Sequence, residues 1–156
     1  MDALELSDQD PLEMLYDSVK AQRRLLSGFG GNDKVPKDKL LSAQTPKHVA
    51  ISLNGEPTLY TKLSEYMELC HAHGMTTMLV TNGTLPKVIE NLDTLPTQLY
   101  VSVDAPNKQV FDEICRPKWN AGAWEKLEET IDLLPSLDTR IVCRHTLIKG
   151  RNMKEE

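Results

Sequence analysis

The stretch Val49-Ala50-Ile51-Ser52-Leu53-Asn54-Gly55-Glu56-Pro57-Thr58-Leu59-Tyr60 decides the fold of this chain. An apolar run stops at a glycine, a carboxylate and a proline, and a helical pattern begins just beyond. Such a strand ends at the rim of a sheet and turns into a crossover helix. In parallel α/β folds that rim is where ligands bind. What Glu56 faces depends on what the other strands bring to the same edge.

Downstream, strand and helix patterns alternate. Lys47 to Leu53 reads as the first strand, and Leu59, Leu63, Tyr66, Met67 and Cys70 mark the apolar face of a helix that Gly74 stops. Met75 to Val80 is the second strand, closed by Thr81-Asn82-Gly83. Pro86 opens a short helix with Val88, Ile89 and Leu92. Gln98 to Val103 is the third strand, followed by Asp104-Ala105-Pro106. Asn107 caps a helix with Val110, Phe111 and Ile114, which Pro117 ends. Trp124, Leu127, Ile131 and Leu134 stripe another helix, stopped by Pro135, and Thr139 to Leu147 is the last strand.

Upstream, Asp10-Pro11-Leu12-Glu13 is a helix start, with Asp10 as N-cap and Pro11 in the first helical position. Leu12, Leu15, Tyr16, Val19 and Leu26 follow at helical spacing, and Gly28 is placed to end the helix in a left-handed conformation. Leu40, Leu41 and Ala43 mark a short helix before Pro46. The order α-β-α-β-α-β-α-α-β predicts an α/β fold with right-handed crossovers and a parallel sheet. The pattern opens on a helix and stops as another begins. The expectation is that residues 1–156 are one central segment cut from a larger α/β barrel or open sheet.

Composition narrows the classes. With 156 residues and 40% hydrophobic content the chain can build one core. No apolar run approaches the roughly 20 residues that span a bilayer, and the acidic N-terminus lacks the pattern of a secretion signal. A monomeric, cytoplasmic protein with no membrane partner is expected. The net charge of −5 is unevenly spread: six acids and no Lys or Arg lie between Asp2 and Asp17, and five basic residues and no acid between Thr139 and Lys154. This asymmetry points to an anion-facing end or to a solvated basic face.

Strand parity separates two faces. Val101 and Val103 point one way, and Tyr100, Ser102 and Asp104 the other. Val49, Ile51 and Leu53 lie opposite Ala50, Ser52 and Asn54. One face suits packed helices; the other is small or polar, as a ligand-lined interior would be. Each strand also ends in polar groups: Asn54-Gly55-Glu56, Thr81-Asn82-Gly83, Ser102 with Asp104, and Arg144-His145-Thr146. Any one of them suits a turn, but four on one rim suit a site. Cys70, Cys115 and Cys143 are far apart and form no C-x-x-C pair, so the chain carries no cluster motif of its own. Cys70-His71-Ala72-His73 reads as a core cysteine with surface histidines, Cys115 as a packed or loop thiol, Cys143 as core, and Trp119 and Trp124 as packing residues.

Asn54-Gly55-Glu56-Pro57-Thr58-Leu59 resembles the Gly-Glu motif of radical S-adenosylmethionine enzymes. The similarity extends through Lys47 to Leu53, Leu79-Val80-Thr81-Asn82-Gly83-Thr84, Gln98 to Ala105, Cys115-Arg116-Pro117 and Arg144 to Gly150. From about Asp10 to Met153 the ordered set resembles the archaeal tRNA 4-demethylwyosine synthase family of the wybutosine pathway. The resemblance implies an enzyme that condenses pyruvate with N1-methylguanosine beside the anticodon of tRNA(Phe). Its radical comes from S-adenosylmethionine cleaved at a 4Fe–4S cluster fed by an electron donor. It further implies that Gly55 and Glu56, with Asn54, hold the methionine amino group, that Asn82, Ser102 and Asp104 line the cofactor pocket, and that Arg144 binds an anion. Lys149 and Arg151 would approach tRNA phosphate. The resemblance also implies a partial (βα) radical S-adenosylmethionine barrel lacking its first strand and its C-terminal end; the family's C-x-x-x-C-x-x-C motif, its further cluster cysteines and its pyruvate-binding lysine have no counterpart in this sequence. These 156 residues alone are therefore expected to be inactive. Another radical enzyme of the Gly-Glu-Pro type, such as an activating enzyme, and a non-catalytic α/β binding module are the alternatives.

Overall fold

A computed structural model describes residues 9–52, 55–117 and 121–153. Asp10 caps the first helix, α1 (Pro11–Leu26), its carboxylate accepting from the backbone N–H groups of Leu12 and Glu13. The short α2 (Lys37–Ala43) follows, and the chain then alternates: β1 (His48–Ile51), α3 (Leu63–Ala72), β2 (Thr76–Thr81), α4 (Pro86–Glu90) and β3 (Gln98–Ser102). Two helices, α5 (Lys108–Ile114) and α6 (Ala123–Leu133), precede β4 (Arg140–Arg144). The four strands form one parallel sheet in the order β1-β2-β3-β4. The expected order of elements and the parallel sheet are both found.

Register explains the two faces. Ile51, Leu79, Leu99 and Ile141 are aligned across all four strands. This aliphatic row, with Val101, packs against Leu63 and Met67 of α3, Ile89 of α4, Phe111 of α5 and Leu127 of α6. Burial of branched side chains at about 1.5–3 kcal/mol each supplies the main driving force. A second cluster joins Leu15 of α1 to Tyr66 and Cys70 of α3, so α1 lies over the helix layer next to β1. Burial is the main reason the Cys70 thiol and the Tyr66 phenol both titrate above their ordinary values. Trp124 meets Phe111 at 5.6 Å between ring centroids, a packing role as expected; Trp119 lies outside the described residues.

The opposite face is half-exposed, and its chemistry changes with depth. Val80, Tyr100 and Val142 form one row, and Ser102 is aligned with Arg144 in the next. The row Val80-Tyr100-Val142 separates this polar row at the strand ends from Gln98 and Arg140 at the opposite end of the face, so the polar groups at the rim form a shallow layer.

Three local expectations are revised. Gly28 does not end α1 in a left-handed conformation: the chain tightens into a 3₁₀ turn at Ser27–Phe29, and Gly30 beyond it keeps a negative φ of −63°. Cys143 is exposed rather than core, because β4 is an edge strand among the described residues. The strand Thr139 to Leu147 is shortened to Arg140–Arg144, after which the backbone bonds to the exit of β3.

Gly74 and Gly83 carry the positive φ that their turns require, each +70°. At Gly83 the demand is also steric: an added Cβ would sit 2.8 Å from Leu127 Cδ1 and 3.0 Å from Val101 Cγ1. Gly83→Ala combines left-handed strain with overpacking and should cost about 2–4 kcal/mol. Gly30→Ala, with φ −63° and its nearest neighbour at 3.9 Å, should change stability by less than about 1 kcal/mol. Urea unfolding of both variants checks the contrast, and equal effects would contradict the packing described.

Candidate functional site

The exits of all four strands lie on one edge of the sheet because the strands are parallel. After β1, Gly55 (φ +72°) turns the chain and Glu56 caps the 3₁₀ turn Pro57–Leu59. The Glu56 carboxylate is the most heavily bonded group of the rim. Its Oε1 accepts from Thr58 N (3.2 Å), Thr58 Oγ1 (2.7 Å) and Thr81 Oγ1 (2.6 Å), and its Oε2 from Asn82 N (2.8 Å). Asn82 in turn folds its own loop, its Oδ1 accepting from Thr84 N at 2.9 Å and Thr84 Oγ1 at 2.7 Å.

At the other side of the rim, Arg144 Nη2 donates to Ser102 Oγ at 3.1 Å. A pocket of about 340 Å³ lies between these groups, lined by Ser52, Gly55, Glu56, Val80, Thr81, Asn82, Ser102 and Arg144. It therefore has a carboxylate on one wall and a guanidinium on another, with backbone and hydroxyl groups between them.

Five residues singled out from the sequence, Gly55, Glu56, Asn82, Ser102 and Arg144, line this one pocket. Asn54 lies outside the described residues. Asp104 departs from the expectation: it is absent from the lining, and its Oδ1 accepts from Thr146 N at 2.7 Å. It ties the exit of β3 to the segment after β4. Asn152 completes that tie, its side-chain amide donating to Asp104 O (2.6 Å) and Thr146 O (2.8 Å) and its Oδ1 accepting from Ile148 N (2.7 Å). Lys149 and Arg151 sit on this segment, away from the pocket lining. Arg151 Nη1 is 3.3 Å from Glu113 Oε2 in an ion pair whose two side chains are about half exposed. Such a pair is worth at most about 1 kcal/mol, so a phosphate can displace it.

Reading the sequence missed Thr58 and Thr81 as partners of Glu56. Their signal was present only as polar residues beside the turn, because the 25-residue separation between Glu56 and Thr81 closes only when β1 pairs with β2.

The cysteines do not gather. Cys70 is buried in α3, Cys115 follows α5 and Cys143 is on β4. His71 Nε2 meets Thr77 Oγ1 at 2.9 Å, and His73 Nδ1 meets its own helix at Leu69 O at 2.8 Å. Among the described residues no group of three His, Cys, Asp or Glu side chains is placed to hold a metal. These residues therefore offer no gathered ligand set for an iron–sulfur cluster, and the rim pocket carries one negative and one positive side chain.

A parallel sheet covered by helices, with a charged pocket at the rim where its strands end, defines an α/β protein of the barrel or open-sheet class. The model of the radical SAM superfamily matches residues 35–156, and the chain belongs to that superfamily. Family members in general use S-adenosylmethionine and an iron–sulfur cluster. The chain is 46% identical over 147 residues to the S-adenosyl-L-methionine-dependent tRNA 4-demethylwyosine synthase of Pyrococcus abyssi (strain GE5 / Orsay), covering 92% of this chain and 43% of that protein. The synthase of Methanocaldococcus jannaschii is 42% identical over 142 residues, covering 90% of this chain and 44% of that protein. A solved structure of TYW1 with a lysine-pyruvate adduct bound superposes with a TM-score of 0.85 at 39% identity, over 94% of this chain and 48% of that one. The resemblance read from the sequence is thus found at the level of whole-chain similarity. The chain spans less than half the length of these relatives.

The thiols give a test of the site's surroundings. Burial, then the charges of Asp104 and Asp112, pushes the Cys115 thiol up. Its thiolate fraction at neutral pH is therefore below that of an ordinary cysteine, and alkylation should rise only at alkaline pH. Asp104→Asn removes one of the two charges and should speed labelling of Cys115 by iodoacetamide at pH 7–8. Cys70 should label only on unfolding. Peptide mapping reads all three cysteines, and an unchanged Cys115 rate in Asp104→Asn would contradict the proximity described.

Proposed function

We propose that this chain is the central part of the radical S-adenosylmethionine domain of a tRNA 4-demethylwyosine synthase, and that its rim pocket holds S-adenosylmethionine. One observation carries this reading: the Glu56 carboxylate and the Arg144 guanidinium line a single pocket of about 340 Å³. That arrangement matches the ammonium and carboxylate of a methionine moiety by charge-assisted hydrogen bonds. Gly55 and Glu56 receive the amino group, with Asn54 beside them in sequence. Asn82 and Ser102 line the pocket, and Arg144 takes the anionic end. Asp104 acts at one remove, by fixing the segment that follows Arg144.

S-adenosylmethionine supplies radical chemistry when it is bound beside a reduced 4Fe–4S cluster. In this proposal the cluster ligands, and the lysine that engages pyruvate, come from outside the described residues, and an electron donor completes the system. The pyruvate adduct in the TYW1 structure supports pyruvate as co-substrate, and the names of the curated relatives support tRNA. The reaction proposed is a carbon–carbon lyase/synthase step that joins pyruvate to N1-methylguanosine in tRNA(Phe). Lys149 and Arg151 face the tRNA phosphates, with Arg151 exchanging Glu113 for a phosphate. Among the described residues no helix is long and apolar enough to cross a membrane; a monomeric cytoplasmic enzyme is the proposed form.

Two measurements test this reading. In the full-length protein, Glu56→Gln should weaken S-adenosylmethionine binding by about 10- to 100-fold, the value of a hydrogen bond to a charged group, while leaving the cluster spectrum intact. Unchanged affinity counts against the role given to Glu56. Lys149→Ala combined with Arg151→Ala should lower tRNA affinity and reduce its salt slope by about one to two. An unaltered slope returns both residues to an ordinary solvated surface.

A further inference from the structure

Glu56 is held from the protein core as well as from its own loop. Thr130 of α6, fully buried, donates from Oγ1 to Gly83 O at 2.6 Å. Gly83 N donates to Thr81 Oγ1 at 3.0 Å, and Thr81 Oγ1 donates to Glu56 Oε1 at 2.6 Å. The hydroxyl of Thr58 donates to the same oxygen at 2.7 Å, assisted by its backbone N–H at 3.2 Å. Thr81 is 2% exposed and Thr58 3%, so neither hydroxyl competes freely with water.

The distribution over the two oxygens is unequal. Oε1 receives three donors and Oε2 one, from Asn82 N. A carboxylate offers about two acceptor sites on each oxygen. Oε1 is therefore saturated, whereas Oε2 retains acceptor capacity, and Glu56 lines the pocket.

We propose that Thr58 and Thr81 are positioning residues that fix the orientation of the Glu56 carboxylate: by occupying one oxygen, Oε1, they leave the other to accept from a cationic ammonium. The inference rests on the reading in which Glu56 receives the amino group of S-adenosylmethionine. Two observations distinguish this role from that of ordinary turn caps. The bond from Thr81 joins the exits of two strands, and Thr130 registers the assembly to α6, 47 residues away from Gly83. The two oxygens are equivalent, so what the hydroxyls fix is the angle of the carboxylate plane; without them that plane is held only by the N–H groups of Thr58 and Asn82, and part of the direction of a charge-assisted bond is lost.

The test compares ammonium with hydroxyl at a fixed ligand framework. Binding of S-adenosylmethionine and of its 2-hydroxy analogue, in which a hydroxyl replaces the amino group, is measured calorimetrically on the full-length protein. Wild type should prefer S-adenosylmethionine by about tenfold or more. Thr81→Val should reduce that preference to about twofold, and Thr81→Ser, which keeps the hydroxyl, should restore it. Thr58→Val should act in the same direction and carries the test if Thr81→Val does not fold. If wild type discriminates and both valine variants keep the full ratio while only their melting temperatures fall, the threonines are structural and the proposal fails. A wild type without preference overturns the amino-group reading of Glu56 and the proposal with it.

Discussion

The rim of this protein depends on one carboxylate that joins two strand exits. Glu56, leaving β1, accepts from Thr81 and Asn82 at the end of β2, and by doing so closes the gap between neighbouring loops. Loop ends on a parallel sheet have no ladder partners of their own, so their backbone groups must find side chains or water. Here Glu56 serves Thr58 N and Asn82 N, Asn82 serves Thr84 N, and Asp104 serves Thr146 N. Acidic and amide side chains thus replace the missing ladder along the edge where the pocket opens.

The sheet beneath sets the boundary of the site. Ile51, Leu79, Leu99 and Ile141 form a row against the helices, which locks the register, since a slip of one residue would turn that row outward. With register locked, Ser102 and Arg144 fall opposite one another at the mouth, and Val80, Tyr100 and Val142 fall one row deeper. The polar site is shallow for this reason. Gly83 adds a constraint from below: its turn sits against Val101 and Leu127, too close for a Cβ, so the loop carrying Asn82 is pressed onto the core.

Local features were legible in the sequence because their causes are local. Asp10 before Pro11 and Asn107 before Lys108 cap helices through contacts two or three residues long, and both were readable from residue type and position. Strand order followed from the alternation of patterns, and the pocket residues Gly55, Glu56, Asn82, Ser102 and Arg144 followed from the rule that parallel strands end together. What was not legible depends on tertiary closure. The bond from Thr81 to Glu56 spans 25 residues and that from Thr130 to Gly83 spans 47, and neither leaves a periodic trace. Cys143 looked like core because a strand position does not reveal whether a helix covers it. Asp104 looked like a pocket residue because parity gives a face but not the partner that reaches the side chain first. Gly28 had the composition of a helix stop, yet a 3₁₀ turn satisfied the last carbonyls without positive φ.

Superfamily membership, the charged rim and the similarity to tRNA 4-demethylwyosine synthases support the proposal that the rim pocket holds S-adenosylmethionine with Glu56 as its ammonium acceptor. A crystal structure of the full-length protein with its cluster and S-adenosylmethionine bound addresses this claim most directly. The account predicts the methionine nitrogen within hydrogen-bond distance of Glu56 Oε2, with Oε1 still held by Thr58 and Thr81 and the methionine carboxylate on the Arg144 side. S-adenosylmethionine bound elsewhere, with Glu56 facing only its protein donors, would contradict it.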